Sequence, residues 1–137
     1  CTGEMIERFR RMPLIAEYME QKLAEIEGTP DSSDMTVGRR LTNLGTFRAY
    51  ALAYIKANPG VQQSLIQMVR QLQPGPYGVP LEVYCFTKET QWIGHEDVQS
   101  DMFDHFFAVL PQFSLRVYQQ PSGWDLKEMS LHPPRDE

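Results

Sequence analysis

Two spacings of apolar residues divide this chain into helical and strand-like segments, and they constrain its fold more than any other feature. In three segments the apolar side chains recur every three or four residues, which gives a helix one apolar face. In two shorter segments they alternate with polar residues, as in a strand with one buried face, and a third segment has strand composition. Since 137 residues suffice for one core but hardly for two, we predict a single α+β domain.

The first helical segment runs from about Glu4 to Glu27 and contains a proline. Pro13 lacks a backbone N–H, so it should either kink the helix or serve as the first residue of a second piece. The apolar stripe could form a coiled-coil seam, but apolar neighbours widen it, which favours packing within the domain. The stripe comprises Met5, Phe9, Met12, Ala16, Met19, Leu23 and Ile26.

Two further helices are predicted. Asn43 or Thr46 can cap a helix that runs to about Ala57, after which an Asn-Pro-Gly sequence ends it. The other helix runs from His95 to Leu110 and is stopped by the proline that follows. This last helix has two adjacent apolar stripes, which indicates that it is covered on more than one side.

Three strands are predicted, at about residues 64–72, 81–87 and 113–118. The first two are joined by a loop with three prolines and two glycines, which is too long for a tight hairpin.

The composition of two other segments indicates a loop within the domain and the end of the domain. Residues 28–38 are rich in turn-forming and polar residues, so we expect a mobile loop there. The domain should span residues 1–120, and residues 121–137 have the composition of a polar tail, which Trp124 could tether.

The charge and the cysteine count exclude several classes of protein. A net charge of −5 argues against a nucleic-acid binder, although Arg39, Arg40 and Arg48 could form a local basic patch. Two cysteines are too few for a secreted disulfide scaffold, which favours a reducing compartment. The chain has no apolar run long enough to span a membrane. It begins with cysteine rather than methionine, so we expect a piece of a longer protein.

The best metal candidate is a pair of residues one helical turn apart. Asp101 and His105 are spaced by four residues, Asp104 is adjacent, and His95 lies further back. A zinc site needs three or four converging ligands, with His or Cys in the majority. The spacing of Asp101 and His105 also suits a surface pair on one helix. We therefore predict no metal site.

No enzyme site is predicted either. Cys85 lies on the apolar face of its strand, where a nucleophile would lack a nearby base, so we expect a small core residue. The glycines form neither of the common phosphate-binding patterns. We therefore expect a protein without catalytic activity and without a cofactor.

Several segments resemble one family. RLTNLGTFRAY, at Arg40–Tyr50, is similar to the cytosolic C-terminal domain of the small-conductance mechanosensitive channel family, in its subclass similar to the bacterial miniconductance channel. The likeness continues through most of the chain, and Pro13 departs from it where an unbroken helix is expected. The other segments are MIERFRRMPLIAEYMEQK, MVRQLQP, PLEVYCFT, QWIGHEDVQSDMFDH and FSLRVYQQPSG.

The resemblance implies a fold and a function. The fold would be a ferredoxin-like open-faced sandwich that lacks its first strand, with about three antiparallel strands packed with three helices. The function would be that of a vestibule-forming domain on the cytoplasmic side of the bacterial inner membrane, in a channel that releases solutes under hypoosmotic stress. The partners would be other copies of the subunit, seven in the full channel. Membrane helices, a small β domain and the missing strand would precede residue 1.

Five residues are candidates for organising the domain or its subunit contacts: Arg40, Thr42, Asn43, Phe47 and Arg48. A helix cap followed by core aromatic residues is the plainer interpretation of the same pattern. Another class of function also stays open, a free-standing ferredoxin-like regulatory domain that binds a small ligand.

Overall fold

The computed structural model describes residues 1–28 and 41–131, with side chains up to residue 128. In these residues the chain forms five α-helices and a two-stranded antiparallel sheet, which confirms the α+β class. The predicted loop at 28–38 lies outside the described residues except for Gly28, and so do Arg39, Arg40 and the end of the tail from residue 132.

The proline at position 13 divides the first helical segment. Helix α1 covers Gly3–Arg10, and its first turn is capped by Thr2, whose Oγ1 accepts a hydrogen bond from the Met5 N–H. Pro13 then opens a 3-10 turn, Pro13–Ile15, which leads into α2 at Ala16–Glu27. Pro13 therefore begins a second piece, as one of the two alternatives predicted, because its missing N–H costs nothing at that position.

Helix α3 covers Asn43–Ala57, but the predicted cap is wrong. Thr42 is the N-cap, and its Oγ1 accepts a hydrogen bond from the Gly45 N–H at 3.0 Å. Thr46 instead lies fully buried and donates its hydroxyl to the Thr42 carbonyl. The other end is closed by the side-chain amide of Gln63, which donates to the carbonyls of Ile55, Asn58 and Val61. At both ends of α3, side chains therefore form hydrogen bonds with backbone groups that have no partner within the helix.

The sheet consists of β1, Met68–Gln71, and β2, Leu81–Tyr84, with Val69 opposite Val83. Both strands are shorter than predicted. Residues 64–67 do not join β1, because the chain turns there beside the capping side chain of Gln63. Val69 is buried and contributes to the core, and helix α3 packs against β1 on that side.

Helix α4 covers Trp92–Val109 and continues directly into a 3-10 helix, Leu110–Phe113. The predicted third strand at 113–118 is not found among the described residues. Phe113 is fully buried at the end of the 3-10 helix, and Ser114 comes next in a left-handed conformation with φ 55°. The Leu115 N–H then bonds the Leu110 carbonyl, so the chain turns where the strand should start. Alternation alone does not form a strand without a neighbouring strand to pair with.

The predicted tail contains a fifth helix, α5, at Gly123–Leu131. Asp125 and Ser122 bond each other at its start, and the backbone N–H of Ser122 lowers the pKa of the Asp125 carboxyl by hydrogen bonding to it. Trp124 is 68% exposed, so the expected tether is wrong. Among the described residues no helix is both long and apolar enough to cross a membrane.

The core is centred on the ring of Phe113. It stacks on Phe9 of α1 and meets Phe47 and Tyr50 of α3, with ring centroids 5.2 Å apart in each pair. Phe106 of α4 adds an edge-to-face contact with Phe47 at 6.0 Å. One aromatic cluster therefore connects α1, α3 and the end of α4.

We expect Phe113→Ala to lower the free energy of unfolding by about 3–5 kcal/mol, because it removes a fully buried ring from this cluster. Urea denaturation followed by circular dichroism measures the change. Phe103→Ala is the control, because Phe103 is 46% exposed and its loss should cost much less. Equal losses in the two variants would contradict a core centred on Phe113.

Candidate functional site

The start of α3 is a junction between the N-terminal residues, α3 and the turn after α4. The backbone nitrogen of Cys1 donates to the Leu41 carbonyl at 3.1 Å. Thr42 caps the helix at the next residue. A Cβ at Gly45 would lie 2.9 Å from Thr42 Oγ1, so the small glycine gives the cap its room. The segment is held by specific polar contacts as well as by packing.

Asn43 makes the long-range contact in this junction. Its Nδ2 donates to the carbonyl of Phe113 at 3.1 Å and, more weakly, to that of Ser114 at 3.5 Å. Its Oδ1 accepts a hydrogen bond from the Leu44 N–H. Asn43 therefore satisfies carbonyls that the left-handed turn at Ser114 leaves free of helix bonds. These hydrogen bonds fix the direction of the backbone after α4.

The five candidate residues do not form one cluster. Thr42, Asn43 and Phe47 meet at the junction, where Phe47 is 6% exposed and packs on Phe106 and Phe113. Arg48 points elsewhere and is exposed, and Arg40 lies outside the described residues. A role in organising the domain fits the contacts of the first three residues, and a role in subunit contacts stays a prediction.

An open apolar groove of about 790 Å³ lies beside the sheet, and it was not predicted from the sequence. We call it the sheet groove. Its walls are the inner face of the sheet, residues 77–80 of the loop before β2, helix α4 and the irregular segment 115–119, and α3 forms its floor. The apolar side chains of the walls include Val69, Val79, Leu81, Val83, Phe103, Phe106, Phe107, Leu110, Leu115 and Val117. Arg116 is the one charged residue that the described chain places in the lining.

The sheet groove explains a wrong expectation about α4. The second apolar stripe of this helix is not covered, because Phe103 is 46% and Phe107 is 56% exposed. Both rings line the groove and stack on each other at 6.1 Å. The sequence contained a signal for an exposed apolar groove. Two apolar stripes on α4 and the alternating segment after it present more apolar surface than two strands can cover.

The histidines considered as metal ligands have other partners. Nε2 of His105 lies 2.8 Å from the Tyr50 hydroxyl, and its ring stacks on Tyr54 at 4.1 Å. Nδ1 of His95 lies 2.9 Å from the Thr87 hydroxyl. In the described part of the chain no three His, Cys, Asp or Glu residues are placed so that they could hold a metal ion.

Burial alters the pKa values of one thiol and two phenols in the described residues. Burial raises the pKa of the Cys85 thiol, which is half-buried against the core, and this disfavours the thiolate. Burial also raises the pKa of Tyr50 and of Tyr54, and for Tyr54 the negative charge of Asp101 adds to the effect. None of these shifts creates a nucleophile or a base near neutral pH.

No protein-family model matches this chain, and no solved structure matches it at a significant level.

We expect Asn43→Ala to lower the free energy of unfolding by about 1–2 kcal/mol, because the Phe113 and Ser114 carbonyls lose their donor. Thermal and urea denaturation measure the loss. Gln21→Ala is the control, because Gln21 is exposed and donates only to Glu17 on its own helix. A loss within error of the control would show that Asn43 does not hold the turn.

The stability of the protein should fall at alkaline pH through Tyr54. Its raised pKa favours the neutral phenol in the folded state, so this stabilisation is complete below the ordinary tyrosine pKa and is lost as pH rises through the folded value. Between about pH 9 and pH 11, the free energy of unfolding should decline less steeply for Tyr54→Phe than for the unmodified chain. Tyr77→Phe, at a ring that is 70% exposed, controls for the removal of a phenol. Identical slopes for the unmodified chain and Tyr54→Phe would contradict the prediction.

Proposed function

We propose that this chain is the cytosolic, vestibule-forming domain of a mechanosensitive channel of the small-conductance family, similar to the miniconductance subclass. In that role it shapes the path of solutes and helps subunits to assemble, on the cytoplasmic side of a bacterial inner membrane. The full protein then carries membrane helices before residue 1. The proposal rests on the sequence resemblance and on the geometry around the sheet groove.

The order of the elements supports the finer fold. A ferredoxin-like sandwich has the order β-α-β-β-α-β, and removal of its first strand leaves α-β-β-α-β. The chain has α3, β1, β2 and α4 in that order, followed by the alternating segment 115–119. Helices α1 and α2 would then lie between the missing first strand and α3, and α5 comes after the unit.

The sheet groove is the observation that carries the proposal. In the described residues β2 pairs with β1 on one side, and nothing pairs with its other edge. The groove lies between the sheet, α4 and Leu115–Gln119, and it is lined by apolar side chains. A sandwich that lacks a strand would leave an opening of this kind, because the apolar side chains that the missing strand would cover face solvent instead. In this proposal, Leu115 and Val117 alternate because their segment is a strand whose partner strand is missing.

The junction at Thr42, Asn43 and Phe47 has an organising role in this proposal. It fixes the start of α3 to the turn after α4. These contacts hold α4 and the segment after it in place against α3, although the sheet is incomplete. Structural side chains with no reactive group suit a wall that guides solutes, since such a wall needs no catalyst.

The full-length gene tests the proposal. When it is expressed in a bacterial strain without mechanosensitive channels, we expect higher survival of hypoosmotic shock and tension-activated currents in membrane patches. A version with the junction variant Asn43→Ala should give fewer functional channels at equal messenger level, because its cytosolic domain is less stable. A full-length protein without membrane-spanning helices, or one that gives no current at any tension below membrane rupture, would exclude the channel function.

The size of the sheet groove favours a second candidate function, a ferredoxin-like regulatory domain that binds a small ligand. About 790 Å³ lies within the range of small-molecule pockets, and Arg116 could orient an anionic group there. A ligand that binds only the folded state raises the melting temperature. Stabilisation by a small metabolite, in a protein whose gene encodes no membrane helices, would replace the channel proposal with this one.

A further inference from the structure

Helix α3 carries an exposed stripe of two cations with an apolar residue between them. Arg48, Leu52 and Lys56 are spaced by four residues, so they lie on one side of the helix. Eight residues of helix separate the two charges along the axis by about 12 Å. Both cations are exposed, and within the described part of the chain neither has an ion-pair partner.

This stripe forms one wall of a shallow groove of about 410 Å³ between α2 and α3, which we call the cationic groove. The opposite wall comes from Leu14, Tyr18 and Gln21. Glu17 also lines the groove, but it makes no ion pair with either cation, and its Oε1 accepts a hydrogen bond from Gln21. The groove therefore combines apolar contact area with two positive charges that form no ion pair with any described residue, in a chain whose net charge is −5.

Helix α4 carries the complementary pattern. Asp97, Asp101 and Asp104 are spaced by four and then three residues, which places three exposed carboxylates along one face. The outer two are separated along the axis by about 10 Å, close to the separation of the two cations. None of the three has an ion-pair partner among the described residues. Ile93, one turn before Asp97, is 75% exposed and adds an apolar contact at the end of the stripe.

The two patterns cannot meet within one molecule. Helix α3 contacts its own α4 through Tyr50 and Tyr54, which pack on His105 and Phe106. Arg48 precedes Tyr50 by two residues, and two residues rotate a helix by about 200°, so the cations lie on nearly the opposite side of α3. The positive stripe faces away from the acidic helix of the same chain.

We propose that the cationic groove of one copy of this chain receives the acidic face of α4 from a second copy. The argument is charge complementarity between two patterns of similar length, neither of which has an ion-pair partner in the part of its own chain that the structure describes. The contact joins two different surfaces, so it is heterologous, and repetition of it builds a ring or an open chain of subunits rather than a twofold dimer. The inference rests on the proposed function to the extent that a channel vestibule needs several copies arranged in this way.

The charges of this contact set its orientation and its salt dependence. Rim charges contribute mainly to specificity and to the rate of association, and salt screens them over about 8–10 Å. Self-association of the isolated chain should therefore be weak, favoured by low ionic strength and reduced by added salt. The apolar contacts of Leu52 and Ile93 are less sensitive to salt and add to the same interface.

Two charge-reversed variants of the 137-residue chain provide the test. In Arg48→Glu/Lys56→Glu the groove and the α4 face are both acidic, and in Asp97→Lys/Asp104→Lys both are basic. Each variant alone should associate at least about tenfold more weakly than the unmodified chain, because like charges would meet at the contact. An equimolar mixture of the two should associate again, since each acidic surface then finds a basic one. Sedimentation velocity at low salt, up to millimolar protein, measures these constants.

The control variant is Lys88→Glu/Arg11→Glu, which changes the net charge by the same amount as the acidic variant at two other exposed positions. It should associate about as well as the unmodified chain. Urea denaturation confirms that every variant is folded before it is compared. An unmodified chain that stays monomeric at low salt, or a mixture that associates no better than its components, would overturn the inference. These outcomes differ from a failure of the channel function, which the full-length gene decides.

Discussion

The aromatic contacts of Phe113 are the constraint on which the rest of the structure depends. Its ring is fully buried and meets Phe9, Phe47 and Tyr50, so it joins elements from distant parts of the chain. Two strands of four residues cannot stabilise a domain by themselves. The helices must therefore supply most of the buried apolar area, and Phe113 is where they converge.

The position of Phe113 also determines the path of the chain beyond it. To bury this ring the chain continues α4 into a 3-10 turn and passes through a left-handed residue at Ser114. Asn43 stabilises that turn through the two carbonyls beside it. Residues 115–119 then leave the turn as a wall of the sheet groove instead of a sheet strand. The burial of Phe113, the hydrogen bonds of Asn43 and the position of residues 115–119 in the sheet groove are therefore linked through one turn of the chain.

Local sequence patterns predicted the elements that local forces determine. The spacing of apolar residues located α3 and α4, and the proline at position 13 marked the break in the first helix. The cap of α3 was missed by one residue, because Thr42, Asn43 and Thr46 are all competent caps and only the backbone geometry selects among them. Helix α5 was missed because it is short and its four apolar residues are not spaced so that they form one apolar face. Other features depend on distant residues. Leu115 and Val117 alternate as a strand does, but a strand also needs a neighbour to pair with, and the described residues supply none to this segment.

The described surface of this chain keeps two sets of opposite charges apart, on α3 and on α4. Arg70 and Glu82 pair across the sheet at 2.9 Å, and Arg10 pairs with Glu20 at 3.1 Å, so opposite charges within reach of each other do meet. The cations of α3 and the carboxylates of α4 do not meet, because the cations lie on the side of α3 that faces away from α4. Another set of exposed apolar residues lines the sheet groove, where Arg116 is the one charged residue that the described chain places beside them. Under the proposed channel function, a neighbouring subunit would complete the core at the sheet groove and would be selected by the separated charges of α3 and α4.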